Sequence, residues 1–380
     1  MNVFRHSSAE KSGSSSWRRA LLLTLVLRIA YSIIAAAMVW VQPVNSRLTQ
    51  SNALTENLQR PSHTFHYLLF GAWERFDTLW YLQIAAHGYD RPESVVFFPL
   101  YPGLIRLLSA FLPPIAGALL ISSAASFFLF WGLQELLLEN VSESLAEQAV
   151  LFCAVWPASF IFFAGYPESL LFALMVWSLY MARENRWAVA IACGIAAALT
   201  KALGVIVAVP LLILALRQKK MKGLATLAIP LAAAGFLAWL RSTGHPTLNF
   251  AYEKYWHTLP SAPWRTLWVA IRTSLNSPNP VLILNLVFPI AVSILVAISR
   301  VRVEYVMFAV VAMLMAFCKN TTPPLQSMVR YLLIVFPAFV GMARLFQNPP
   351  MQSRFVMACL ALFLMNLGLL WLFLGWSLVV

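Results

Sequence analysis

Arg19-Ala-Leu-Leu-Leu-Thr-Leu-Val-Leu-Arg28-Ile-Ala-Tyr-Ser-Ile-Ile-Ala-Ala-Ala-Met-Val-Trp-Val41 is the stretch on which the fold turns. It is long enough to cross a bilayer, since a transmembrane helix takes about 20 mostly apolar residues. Arg28 is its one internal charge. Arg18 and Arg19 precede it, and the run is too long for the core of a cleaved signal peptide, so it reads as an uncleaved first span. The polar, Ser-rich residues 1–17 then read as a cytoplasmic tail.

The pattern recurs outward from there. Of the 380 residues, 61% are hydrophobic and 11% charged, against about a quarter charged in a soluble domain. Further apolar runs at 117–138, 146–163, 168–181, 187–200, 203–216, 223–240, 281–299, 303–317, 328–344 and 355–378 predict an all-α integral membrane protein. The expected architecture is a polytopic helical bundle of about eleven transmembrane helices in one domain over 1–380. Basic residues cluster at Arg18/Arg19, Arg183/Arg186, Arg217–Lys222, Arg300/Arg302 and Arg344/Arg354. One topology places all five clusters in the cytoplasm, as the positive-inside rule asks. Its outer face receives a first loop at 42–114 with interfacial helices and a second at 242–280. This topology requires that 95–112, interrupted by Pro99, Pro102 and Arg106, not cross the membrane.

The net charge of +13 is spread between apolar runs and forms no basic face, which argues against nucleic acid as a partner. Membrane lipids are the partner such a distribution fits. Cys153, Cys193, Cys318 and Cys359 lack paired spacing, and the histidines lack metal-ligand spacing, so the sequence supports neither disulfides nor a metal site. No cofactor is expected, and metal dependence stays open.

Few ionisable residues remain to carry chemistry. The segment Trp73-Glu-Arg75-Phe-Asp77-Thr-Leu-Trp-Tyr81-Leu-Gln-Ile-Ala-Ala-His-Gly88 predicts an amphipathic helix ended by Gly88, with Trp73, Phe76, Trp80 and Ile84 on the face toward lipid. Glu74, Asp77, Thr78 and Tyr81 share the other face. Asp77 is then a candidate general base, and the bland alternative is a charge that merely solvates the helix. Glu168 opens an apolar run and is either a capping carboxylate or a functional one. Lys201 is the only charge between Trp187 and Leu216, and is either a snorkelling lysine or a cation for a phosphate. Arg330, at the start of another apolar run, has the same two readings. Arg28 requires a partner inside the bundle.

Four blocks carry a family resemblance: Arg75-Phe-Asp77 with Trp80-Tyr81 and Ile84-Ala-Ala-His-Gly88-Tyr; Phe97-Phe-Pro-Leu-Tyr-Pro102; Trp156-Pro-Ala-Ser-Phe160 with Tyr166-Pro-Glu-Ser169; and Ser327-Met-Val-Arg-Tyr331 with Phe336-Pro337. In these the chain resembles the GPI mannosyltransferase 2 (PIG-V-like) family of the GT-C class. That resemblance implies transfer of a mannose-type sugar from a polyprenyl-phosphate donor to a glycan, lipid or protein acceptor, with inversion. It implies Asp77 as the catalytic carboxylate and Arg75, Tyr81, Glu168, Lys201, Arg330 and Tyr331 as substrate-binding residues. Phe76 stands where the family often has Trp, Pro167 where it often has Ser, and Lys201-Ala202 where it often has Arg-Ser. The chain is compact for a eukaryotic member, so a prokaryotic plasma membrane with an extracytoplasmic site is the expected location; in a eukaryote it would be the endoplasmic reticulum. A transporter or flippase for lipid-linked or small solutes is the rival class, and it calls for ionisable groups at mid-bilayer on several helices.

Overall fold

The computed structural model describes residues 4–42, 54, 63–218, 221–277, 279–347 and 352–377. Residues 43–53 and 55–62 of the first loop, and Lys219 and Lys220 of one basic cluster, lie outside these. In chain order the helices are α1 Phe4–Val41, α2 Phe65–Leu69, α3 Asp77–His87, α4 Leu100–Leu108, α5 Pro114–Leu138 and α6 Glu143–Val155. Then come α7 Glu168–Arg183, α8 Trp187–Thr200, α9 Ala208–Arg217, α10 Ala228–Ser242, α11 Leu248–Trp256 and α12 Pro263–Asn276. The last are α13 Pro280–Ser299, α14 Val303–Phe317, α15 Met328–Tyr331, α16 Phe336–Arg344 and α17 Gln352–Leu374. Short 3-10 turns join several of them. Two strands of two residues each, β1 Leu259–Pro260 and β2 Lys319–Asn320, pair antiparallel.

Among the described residues, five helices are long and apolar enough to cross a membrane: 16–41, 114–138, 223–242, 280–299 and 352–374. Of the about eleven transmembrane helices expected, these five meet the length on their own. The remaining apolar runs form shorter helices or are broken where prolines and tight turns interrupt the hydrogen-bond ladder. The run 146–163 divides at Trp156-Pro157 into α6 and a 3-10 turn at Ser159–Phe163. The run 328–344 divides into α15, a 3-10 turn and α16, which restarts at Phe336-Pro337. At its other end, the polar segment expected as a tail continues the first helix back to Phe4. The nine residues of α4 extend only about 13 Å at 1.5 Å per residue.

In lipid the hydrophobic effect does not drive helices together, so close packing and buried polar contacts must hold the bundle. Helices α5, α7 and α8 form its centre. The Ser122 and Ser126 hydroxyls donate to the Tyr166 and Phe162 carbonyls at 2.8 Å each, and the Ser169 hydroxyl donates to Ser122 O at 3.0 Å. Asn366, fully buried in α17, accepts the Phe160 backbone N–H at 3.1 Å and donates to the Tyr31 hydroxyl. Helices α13 and α16 approach so closely that a Cβ on Gly341 would lie 1.9 Å from Leu295 O. Arg28 is held within the protein: its guanidinium donates to Phe163 O at 2.7 Å and to the Ser32 hydroxyl, and stacks on Trp73.

Charged groups collect at the two ends of the bundle. At one end, Arg183 pairs with Glu139 at 2.7 Å, and buried Glu304 pairs with Arg183 at 3.5 Å and Arg217 at 3.3 Å. Arg302 donates to Asn140, Arg344 donates to Ser299 O, and Arg19 pairs with Glu143 and Glu147. One arginine from each of the five basic clusters thus gathers at this end. The opposite ends of α7 and α14 lead to Glu168 and Lys319, where a second charged cluster forms.

Candidate functional site

The second cluster is built around Asp77. Apolar spacing predicts a helix from Trp73, but Gly71–Trp73 is a 3-10 turn and α3 begins only at Asp77. Between them Phe76 adopts φ 45°, ψ −117°, a sparsely populated conformation for a residue with a Cβ. Its surroundings explain this. The Phe76 ring packs on Phe373 and Trp376 at the end of α17, and the Arg75 guanidinium donates to Leu374 O at 3.0 Å. The turn is clamped before the helix can form, so Asp77 becomes the first residue of α3. There its carboxylate benefits from the positive end of the helix dipole.

A second correction concerns what α3 faces. Its aromatic side is expected in lipid, yet Trp73 is completely buried, stacked beneath Arg28, and Trp80 is buried between Phe97 and Trp256. Tyr81 is also buried, edge-on to Phe97 and Tyr101. The helix is a roofed wall of the site, covered by α4 and α11.

Arg330 Nη1 donates to Asp77 Oδ2 at 2.8 Å, while Arg330 Nε lies 3.6 Å from Glu168 Oε1. Lys201 Nζ donates to the same Glu168 oxygen at 2.7 Å. Lys201 and Arg330 both face the Tyr331 ring, with Lys319 Nζ 3.2 Å from its centroid. The Tyr166 hydroxyl accepts the Asp77 backbone N–H at 3.2 Å. The close approach behind this contact depends on Gly165, where a Cβ would lie 2.6 Å from Thr78 Cγ2. Ser327, three residues before Arg330, has φ 63°, the left-handed region. The turns that precede Asp77 and Arg330 are therefore both backbone-strained, a condition that persists only where the surrounding structure enforces it.

Asp77, Glu168, Lys201, Arg330 and Tyr331 are thus brought together from separate segments of the chain, with Tyr81 buried in the electrostatic field of Asp77 and Glu168. Burial raises the Tyr81 phenol pKa well above its ordinary value. Arg75 is not part of the cluster. Its remaining nitrogens donate to Gly71 O, Glu74 O and the Tyr67 hydroxyl, and the guanidinium stacks on Trp376. It holds the turn that aims Asp77.

Three further members are not among the residues that the sequence singles out for the site. Lys319 arrives on β2, Tyr166 lies in the Gly-Tyr-Pro-Glu corner, and Tyr252 of α11 enters the field of Asp77, Arg330 and Tyr331. Lys319 carries a visible signal, being the only charge between Glu304 and Arg330. Burial draws its ammonium pKa below the usual lysine value. Lys201 and Arg330 contact the carboxylates and Lys319 joins them through the Tyr331 ring, so with Tyr331 neutral the cluster carries one more formal positive charge than negative. Thr78 Oγ1, Glu168 Oε2 and Arg330 Nε are buried without a hydrogen-bond partner among the described residues. Buried polar atoms are generally paired, so this wall suits a ligand bearing both hydroxyls and negative charge. No group of three His, Cys, Asp or Glu side chains among the described residues is placed to share a metal ion.

The class defined by these observations is a helical protein of membrane character with a mixed-charge site at one end of its bundle. Human GPI alpha-1,6-mannosyltransferase 2 is 33% identical to the chain over 123 residues, 29% of this chain and 24% of that protein. The chain therefore matches about a quarter of that relative's length. No family model matches the chain. No solved structure matches it either.

Proposed function

We propose that the chain is an inverting glycosyltransferase that moves a mannose-type sugar from a polyprenyl-phosphate carrier to an acceptor hydroxyl of a glycan, lipid or protein. The observation that carries this reading is the Asp77 carboxylate held 2.8 Å from Arg330 in a cluster with a surplus positive charge. Asp77 takes the proton of the acceptor hydroxyl as its oxygen attacks the anomeric carbon. The bond from that carbon to the phosphate oxygen breaks, and the phosphate leaves with the electron pair. Arg330, Lys201 and Lys319 stabilise the leaving charge, while Glu168 Oε2 and Thr78 Oγ1 are available to sugar hydroxyls. Attack opposite the leaving group inverts the anomeric centre.

The likeness to the human mannosyltransferase supports the sugar class. Collection of the basic clusters at the far end supports a multi-pass topology with the Asp77 cluster on the extracytoplasmic side. The transporter reading loses its chief candidate because Arg28 is tied to Phe163 and Ser32.

Purified protein in lipid vesicles, supplied with polyprenyl-phosphate mannose and a screen of acceptors, tests this. Asp77→Asn is expected to lower turnover by about 10²–10⁴-fold, the contribution typical of general-base catalysis, with an unfolding midpoint showing that the fold is retained. Unchanged turnover in the variant removes Asp77 as the base.

A further inference from the structure

Helix α12, Pro263–Asn276, lies in the second loop and presents two unlike faces. Thr266 and Ala270 are completely buried, and α12 packs on α13, α14 and β2. Trp264, Trp268, Ile271 and Leu275 project the other way and are 76%, 65%, 41% and 77% exposed. Their spacing of four, three and four residues puts them on one stripe of a helix. Such a row of large apolar side chains, two of them tryptophans, is far from the scattered exposure ordinary for a surface. Arg265 and Arg272, both exposed, border this stripe about a quarter turn away at 3.6 residues per turn. The helix contains no acidic residue.

We propose that α12 is an in-plane membrane helix, with its Trp264–Leu275 stripe seated in the leaflet that flanks the Asp77 cluster and Arg265 and Arg272 reaching lipid phosphates. Two observations commit the occupant to lipid. Only 277–279 separate α12 from α13, a candidate span whose Ile283, Val287, Ile290 and Ile294 are 44%, 53%, 57% and 55% exposed. Helix α12 therefore adjoins the exposed apolar wall of a candidate span. The paired arginines at the border of the stripe, with no carboxylate among them, complement a phosphate surface; such basic, tryptophan-bearing helices with a strong apolar face lie at the bilayer boundary.

The position also bears on the site. The segment before α12 pairs with β2, where Pro260 faces Lys319, and Ser261 N donates to Cys318 O at 3.0 Å. The Thr266 hydroxyl on the buried face of α12 donates to Lys319 O at 3.4 Å. A helix fixed at the membrane surface thereby fixes the backbone that carries Lys319. The lipid assignment itself does not depend on the reaction assigned to the cluster.

Spin labels at single cysteines introduced at 264, 268, 271, 272 and 275, in full-length protein lacking its native cysteines and reconstituted in phosphatidylcholine–phosphatidylglycerol vesicles, give the test. At 264, 268, 271 and 275, collision with oxygen should exceed collision with a water-soluble nickel chelate, and at 272 the order should reverse. Preferential access of nickel at 268 and 271 overturns the proposal, placing the stripe in water. Exclusion of both reagents also overturns it, because a protein partner or second copy then covers the stripe. Should the cysteine-free protein fail to fold, tryptophan quenching by brominated lipid compares wild type with W264F/W268F. A smaller quenched fraction in the variant supports the proposal, and an equal fraction overturns it.

Discussion

At the scale of single residues, the site is assembled from charges that are scarce in the chain. Asp77 is one of two aspartates in the sequence, and Lys201 and Lys319 each stand alone in long apolar stretches. That rarity makes Asp77, Glu168, Lys201 and Arg330 legible in the sequence itself, because ionisable groups beside lipid are costly and persist for a reason. Arg75 shows where the same logic fails: its charge is consumed by carbonyls and an aromatic ring that spacing cannot reveal. Tyr252 is invisible for the opposite reason, since tyrosines are common in such chains and only the fold selects this one, while Tyr166 lies in a quoted motif whose spacing does not reveal its contact with Asp77. Ser327 offers a test of the strain beside Arg330. A left-handed conformation costs an ordinary residue roughly 1–2 kcal/mol relative to glycine. Ser327→Gly is expected to raise stability by about 1 kcal/mol, after allowing for the glycine's greater unfolded-state freedom. Thermal unfolding in detergent, read beside turnover, measures both sides of that exchange.

At the scale of elements, apolar periodicity identifies the long helices and fails at junctions. It places the start of α3 four residues early because it assumes that Phe76 can remain helical, whereas contacts from α17, some 300 residues later in the chain, deny it. The proline-bearing runs likewise split where their composition alone stays uniformly apolar. Gly165 marks the junction most sensitive to a single atom. A methyl group there would meet Thr78 Cγ2 at 2.6 Å, displacing the corner that precedes Glu168 from the start of α3. Misplacement by about 1 Å can cost on the order of 10²-fold in rate. Gly165→Ala is accordingly expected to cut turnover at least about tenfold while the helical content stays as in wild type, measured by circular dichroism beside the vesicle assay.

Across the whole molecule, charge is arranged as two poles joined by helices that reach both. The basic clusters predict a common end from sequence alone, and the contacts that Arg19, Arg183, Arg217, Arg302 and Arg344 make with carboxylates, Asn140 and Ser299 O bring one member of each there. Glu304 is the buried hub of this pole. Removing one partner of a buried pair costs about 3–5 kcal/mol, and the exposure of Arg217 argues for the lower end. Glu304→Gln should therefore lower stability by about 3 kcal/mol, seen as an earlier unfolding transition, while turnover per folded molecule at the distant Asp77 cluster stays unchanged. A fall in intrinsic turnover would mean that the poles are coupled. The length of α14 has a further consequence. Its 15 residues rise about 22 Å, against a hydrocarbon layer of about 30 Å, and Val310, Leu314 and Met315 are exposed along it. A bilayer packed against this helix would meet an apolar wall shorter than its own hydrocarbon layer, and local thinning is one of the ways such a mismatch is relieved. Such a dimple would draw the headgroup plane down toward the Lys319 strand, shortening the distance a membrane-borne substrate must rise to meet the cluster.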